Sequence, residues 1–129
     1  MKNKGFTIVE LLAAIIILSI VILIAVSSIS GVSKAIKTSQ RNNIIKNIEV
    51  KAANYAFNVN LSNNSEICVN ILVKCGYIEP DNEEDEIFDP LNDGILNNYK
   101  VRIKKNGNYY TAEFTNNEDN SCENIVCNN

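Results

Sequence analysis

The sequence predicts an α+β fold: one long N-terminal helix, packed by a small antiparallel sheet that forms a headgroup. Three observations carry this. Residues 6–60 contain no Pro and a single Gly, Gly31. Within that stretch an apolar stripe recurs at helical steps. Later, two runs of alternating apolar and charged residues flank an Asn-Gly pair, the pattern of a hairpin.

The helix comes first. Ile44, Ile48, Ala52, Tyr55 and Val59 follow one another at steps of 4, 4, 3 and 4, with Ile45 and Ala56 beside them. Projected back along the same face, the stripe becomes Arg41, Lys37 and Lys34. The change from basic to apolar near residue 44 marks the expected lower edge of the headgroup.

Leu61–Ser65 is a polar break, after which Ser65 is placed to cap a short helix running to about Lys74. Ile67, Ile71 and Leu72 would face inward, and Gly76 would stop the helix. The cysteines are Cys68, Cys75, Cys122 and Cys127. An even number in a small exported domain reads as two disulfides. Zinc and free thiols are the competing readings, but six and four intervening residues do not match the close spacing of zinc knuckles. In a regular helix Cys68 and Cys75 lie about 10 Å apart, beyond the roughly 7 Å a disulfide spans. Each is therefore expected to pair with Cys122 or Cys127.

Residues 79–93 hold Glu79, Asp81, Glu83, Glu84, Asp85, Glu86, Asp89 and Asp93 between and around Pro80 and Pro90. This is an exposed loop, either simply solvated or in electrostatic contact with the Lys34, Lys37 and Arg41 face. No metal is expected. A weaker calcium reading rests on the hard oxygens of Asp89, Asn92 and Asp93, whose order is not that of an EF-hand.

Tyr99, Val101 and Ile103 alternate with Lys100, Arg102 and Lys104 ahead of Asn106-Gly107. A type I′ turn centred on those two residues pairs Tyr99 with Phe114, Val101 with Ala112, Ile103 with Tyr110 and Lys100 with Glu113. The apolar partners share one face, expected to pack on the Ile44–Val59 stripe. A third strand is sought in Ile87-Phe88 or Ile125-Val126.

The N-terminus carries the most specific signal. Lys2 and Lys4 lead to Gly5, Phe6 follows, and an apolar run begins at once. From Phe6 to Ile29 the only ionisable side chain is Glu10. About 24 residues suffice to cross a hydrocarbon core of roughly 30 Å. A secretory signal places its small-residue cleavage site after the apolar run; here that site precedes it. A carboxylate in a membrane span costs roughly 2.5–3.5 kcal/mol on insertion scales, so it is rarely idle.

Residues 1–30 thus resemble the class III signal of type IV prepilins and pseudopilins. The resemblance implies a type IV pilin-like fold. It implies a leader at 1–5 that is removed, a membrane or filament-core helix at 6–30, and over 31–129 the continuation of that helix and a disulfide-stapled α+β headgroup. It also implies a prepilin peptidase that cuts after Gly5 and methylates the new amino group of Phe6. Glu10 would then act in assembly, seeking the positive amino end of a neighbouring subunit. A cytoplasmic ATPase and a membrane platform protein would drive polymerisation into a homo-oligomeric filament, alone or with other pilins. The chain would be a single-pass membrane protein before assembly and reach the cell surface afterwards.

Composition narrows the alternatives. The chain has 12 basic and 15 acidic residues and no His. Loss of Lys2 and Lys4 leaves 10 against 15, a side-chain net charge of −5. So acidic a chain is a poor general binder of phosphate backbones, and DNA is not an expected partner. Without His, imidazole metal sites and His-based triads are excluded; neither an enzyme nor a cofactor is expected. The reading is a pilus subunit. The alternative is a minor pseudopilin of type II secretion or competence DNA uptake, or a minor pilin with an adhesive or DNA-binding role. The strip Lys100, Arg102, Lys104 and Lys105, with Tyr109 beside it, is the feature that such binding would use.

Overall fold

The computed structural model describes residues 5–119 and residue 127, with the backbone alone at Ser28. The elements run α1 (Ile8–Val59), β1 (Glu66–Cys68), α2 (Val69–Lys74), β2 (Phe88–Asp89), β3 (Gly94–Ile95), β4 (Tyr99–Asn106) and β5 (Tyr109–Glu118). The chain divides into two compact units, residues 1–36 and 37–129.

The described part of the first unit is helical from Ile8 onward. Its serines satisfy their hydroxyls within the helix: Ser19 donates to the Ile15 carbonyl at 2.8 Å and Ser27 to that of Leu23 at 2.7 Å. Hydroxyls bonded back one turn let an apolar helix carry serine without an unpaired donor. Every large apolar side chain from Phe6 to Ile36 is at least 52% exposed in the single chain.

The second unit is the headgroup. The expected α1 stripe is its floor: Ile48, Ala52, Tyr55 and Ala56 are buried, with Ile44 and Val59 at the edges. Ala52 and Ala56 are fully enclosed, so the helix backbone comes close to what covers it. Val101 and Ile103 of β4 and Ile67 of β1 cover it from the sheet, and Val69, Leu72 and Val73 from α2. Glu49 adds a polar tie, accepting the Phe114 N–H at 2.9 Å. The sheet packs on the stripe as the alternation required.

Three details differ from expectation. First, residues 66–68 are a strand, not the start of a helix, and it is this strand that pairs with β4: Glu66 opposite Arg102, Ile67 opposite Val101, Cys68 opposite Lys100. Sheet order is β1-β4-β5. Ser65 caps nothing. Its hydroxyl closes a turn onto the Ser62 carbonyl at 2.8 Å, and its own carbonyl accepts the Ile103 N–H at 2.8 Å. Pairing with a preformed hairpin edge outweighs one turn of helix. Helix α2 starts only at Val69 and ends as expected at Gly76, whose φ is +75°. Gly76 N–H bonds the Val73 carbonyl at 3.0 Å and Tyr77 N–H that of Leu72 at 2.8 Å, a Schellman closure.

Second, among the described residues the third strand is β1 rather than Ile87-Phe88. Phe88–Asp89 instead forms a separate two-stranded hairpin with Gly94–Ile95. Residues 125 and 126 lie outside the described part of the chain.

Third, the β4–β5 register is two residues from the expected one: Val101 faces Phe114, Arg102 faces Glu113, Ile103 faces Ala112 and Lys105 faces Tyr110. The turn is centred on Gly107-Asn108. Gly107 supplies the positive φ, +66°, at the first central position, as a type II′ turn requires. Type I′ on Asn106-Gly107 would have forced Asn106 into that region too. Asn60 helps hold the register, its Oδ1 accepting from both Lys105 Nζ and Tyr110 Oη at 2.8 Å. A shift of two preserves which side chains share a face, so the apolar face is unchanged. An irregularity between Tyr99 and Val101 sets Tyr99 opposite Glu118. The Tyr99 and Phe114 rings still stack at 5.4 Å.

Candidate functional site: the N-terminal segment and its anchored headgroup

The N-terminal site is small. Thr7 precedes the first helical residue, and Glu10 is the third. Glu10 N–H donates to Thr7 Oγ1 at 3.3 Å, while Thr7 N–H and Oγ1–H donate to Glu10 Oε2 at 3.0 and 3.1 Å. This is a reciprocal capping box, which satisfies two otherwise orphan helix-end donors. A cleft of about 360 Å³ is lined by Gly5, Phe6, Thr7 and Glu10. The expected scissile bond, the expected methylation site and the lone acid therefore meet within six residues. The role expected of Glu10 did not include this bond to Thr7. The signal was present, since Thr-x-x-Glu ahead of an apolar run is a capping-box pattern.

The disulfide prediction is met in part. Cys75 and Cys127 are bonded, with Cα atoms 5.4 Å apart. Cys68 is disulfide-bonded as well. Cys122 lies outside the described residues. The helical argument that separated Cys68 from Cys75 was mistaken in detail, because Cys68 ends a strand and only precedes α2.

The acidic loop is in contact with α1, but through fewer residues than expected. Arg41 Nε donates to Asp89 Oδ2 at 2.8 Å, and Lys37 lies 3.7 Å from Asp93. Glu83 to Glu86 make no ion pair among the described residues; Glu86 instead accepts from the Asn82 amide at 2.9 Å. Asp89 also accepts from the Leu91 N–H and the Asn92 amide. Burial pushes its carboxyl upward, but the Arg41 hydrogen bond and these donors outweigh burial and hold it below its ordinary range. Of the three residues in the calcium reading, then, Asp89 is occupied by donors, Asn92 turns its amide nitrogen to Asp89, and Asp93 faces Lys37. Among the described residues no three His, Cys, Asp or Glu side chains are grouped to hold a metal ion.

Sequence reasoning also missed Asn97. It is buried, its Oδ1 accepts the Ile87 N–H at 2.8 Å, and its amide donates to the Asp85 carbonyl at 2.6 Å. That bond pair ties the acidic loop to the headgroup. No single-residue pattern announces such a role.

The basic strip of β4 is largely neutralised. Arg102 pairs with Glu66 at 3.0 Å, Lys104 with Glu113 at 2.5 Å and Lys100 with Asp119 at 2.5 Å. Opposite charges across neighbouring strands stabilise the sheet and leave little unspent positive charge for a phosphate backbone.

Residues 1–26 match the prokaryotic N-terminal methylation motif, the class III signal of type IV pilins and pseudopilins. The chain carries that signal on a long helix that continues into an α+β, pilin-like headgroup. Within α1 there is a stretch long and apolar enough to cross a membrane. No curated protein and no solved structure matches the chain.

Proposed function

We propose that the chain is a structural subunit of a type IV pilus or related filament. It waits in the membrane and then polymerises through its N-terminal helix. The observation that carries the reading is the methylation motif at 1–26, set directly on an apolar helix surface that stays exposed among the described residues. Burying one Leu, Ile or Val side chain is worth roughly 1.5–3 kcal/mol, so this surface must find lipid or neighbouring helices. A membrane first and a filament afterwards supply both.

In this account prepilin peptidase removes residues 1–5 and methylates Phe6. Residues 6–30 are the membrane and filament-core segment, and the headgroup faces outward. Glu10 leaves its bond to Thr7 for the new amino group at Phe6 of a neighbour. An opposite charge at contact distance offsets the cost of a carboxylate moved into an apolar core. A cytoplasmic ATPase and a platform protein drive extraction. The role is structural rather than catalytic.

Immunogold labelling of sheared surface fibres with an antibody to the headgroup tests this. Label along the fibres is expected. Label confined to the cell envelope in cells that bear fibres would instead favour a secretion pseudopilus.

A further inference from the structure

Resting on the filament reading, we propose that headgroups of successive copies dock head to tail, the Phe57–Lys105 corner of one copy entering the Phe88 groove of the next. In the second unit the exposed aromatic side chains gather in two places. Phe88, 46% exposed, borders a groove of about 380 Å³ formed with Gln40, Asn43, Ile44, Asp81 and Pro90. Phe57, 62% exposed, and Lys105 meet at the ring of Tyr110, and Tyr109, 60% exposed, is the next residue of β5. Ile44 and Phe57 are thirteen residues apart on α1, about 20 Å at 1.5 Å per residue.

Each place carries one sign of charge. Asp81 lines the groove, and in the loop that runs from it to Phe88 the side chains of Glu83, Glu84 and Asp85 are exposed and have no cationic partner among the described residues. At the other corner Lys105 is the one basic residue of β4 without a carboxylate partner among the described residues. Its Nζ stands 5.2 Å from the Tyr110 ring centroid and donates to Asn60. Phe57 meets the same ring edge-on at 6.2 Å. The corner is therefore a braced aromatic surface under a fixed cation, and the groove is an apolar slot under unspent acids.

The charges select the occupant. Like corners repel and unlike corners attract, so the corner of one copy is matched to the groove of another rather than to the other's corner. A contact between two different patches on identical chains does not close on itself unless the rotation allows it, and otherwise propagates as an open helical assembly. The offset of the two patches along α1 gives each added copy an axial step.

The test uses the full chain in fibre-forming cells. A photo-crosslinking phenylalanine analogue at position 88 is irradiated in the fibre fraction, and adducts are mapped by mass spectrometry. Adducts to residues 57–60 or 105–110 of a second copy are expected. Lys105→Glu should lower adduct yield roughly fivefold, the scale of turning an exposed attraction into a repulsion, and Lys105→Glu combined with Glu84→Lys should restore it. With Phe88 intact, the same two variants should lower and restore fibre yield. Fibres whose adducts map elsewhere, or to another protein, would overturn the contact, as would yields unmoved by charge reversal. If the parent chain gives neither fibres nor self-adducts, the filament reading itself fails and the contact with it.

Discussion

Arg41 and Asp89 form the most enclosed ion pair among the described residues, Nε to Oδ2 at 2.8 Å with side chains 14% and 2% exposed. It joins α1 to the β2–β3 hairpin, and so fixes the acidic loop to the helix at the lower edge of the headgroup. Removing one partner of such a pair strands the other. Asp89→Ala is expected to destabilise the headgroup by about 3 kcal/mol. Thermal unfolding of the full chain in detergent micelles checks it; a change within about 0.5 kcal/mol, the usual range of an exposed site, would show that the pair is not holding the hairpin.

The same residue sets an acid limb. Its folded carboxyl titrates below the ordinary value of 3.8, so the unfolded chain binds the proton first as pH falls. The stabilisation is present above pH 3.8 and is lost as pH drops below it through the folded value. Asp89→Asn should flatten the stability curve in that window and leave its shape above pH 5 unchanged. Equal slopes for parent and variant below pH 3.8 would remove Asp89 from the acid response.

Glu10→Ala should leave insertion and processing intact and impair polymerisation. Insertion becomes easier without the acid, so its role must lie after that step. Fibre counts beside the membrane pool decide it; normal fibre numbers would leave the Thr7 capping bond as the only role for Glu10.

Much of this architecture was legible because periodicity reports burial. The Ile44–Val59 stripe and the β4–β5 alternation each have one buried face, and both were read correctly. What failed had no period to read. Glu66–Cys68 is three residues long, too short for alternation to show, and its strand state comes from the edge of β4. The turn was misplaced because Asn-Gly and Gly-Asn are both good hairpin centres, and the choice went to the one that spares Asn106 a positive φ and lets Asn60, remote in sequence, hold Lys105 and Tyr110. Arg41 and Asp89 lie 48 residues apart, and burial of that pair is a tertiary fact. The methylation motif at residues 1–26, by contrast, was legible from the sequence, because one continuous run of residues carries it.

Gly107→Ala should cost about 1 kcal/mol. A Cβ there meets nothing within 4 Å, so the penalty is the left-handed backbone at φ +66° alone. Denaturant titration of the full chain in micelles measures it, and an unchanged midpoint would mean that the turn relaxes to another type.

Peptide mapping without reduction should recover Cys75 joined to Cys127 and, by counting, Cys68 joined to Cys122. The Cys75–Cys127 bridge spans 52 residues, and closing a loop of that size is worth roughly 4 kcal/mol in the chain-entropy model. Replacing both by Ser should lower stability on that scale. Recovery of a peptide joining Cys122 to Cys127 would refute the pairing.

The account turns on what happens at Gly5. Intact mass and N-terminal analysis of the chain recovered from cells test it most directly. The expected species begins at residue 6, with N-methyl-Phe and without residues 1–5. A chain that still begins at Met1, or one cut after Ser28 beyond the apolar run, would contradict it.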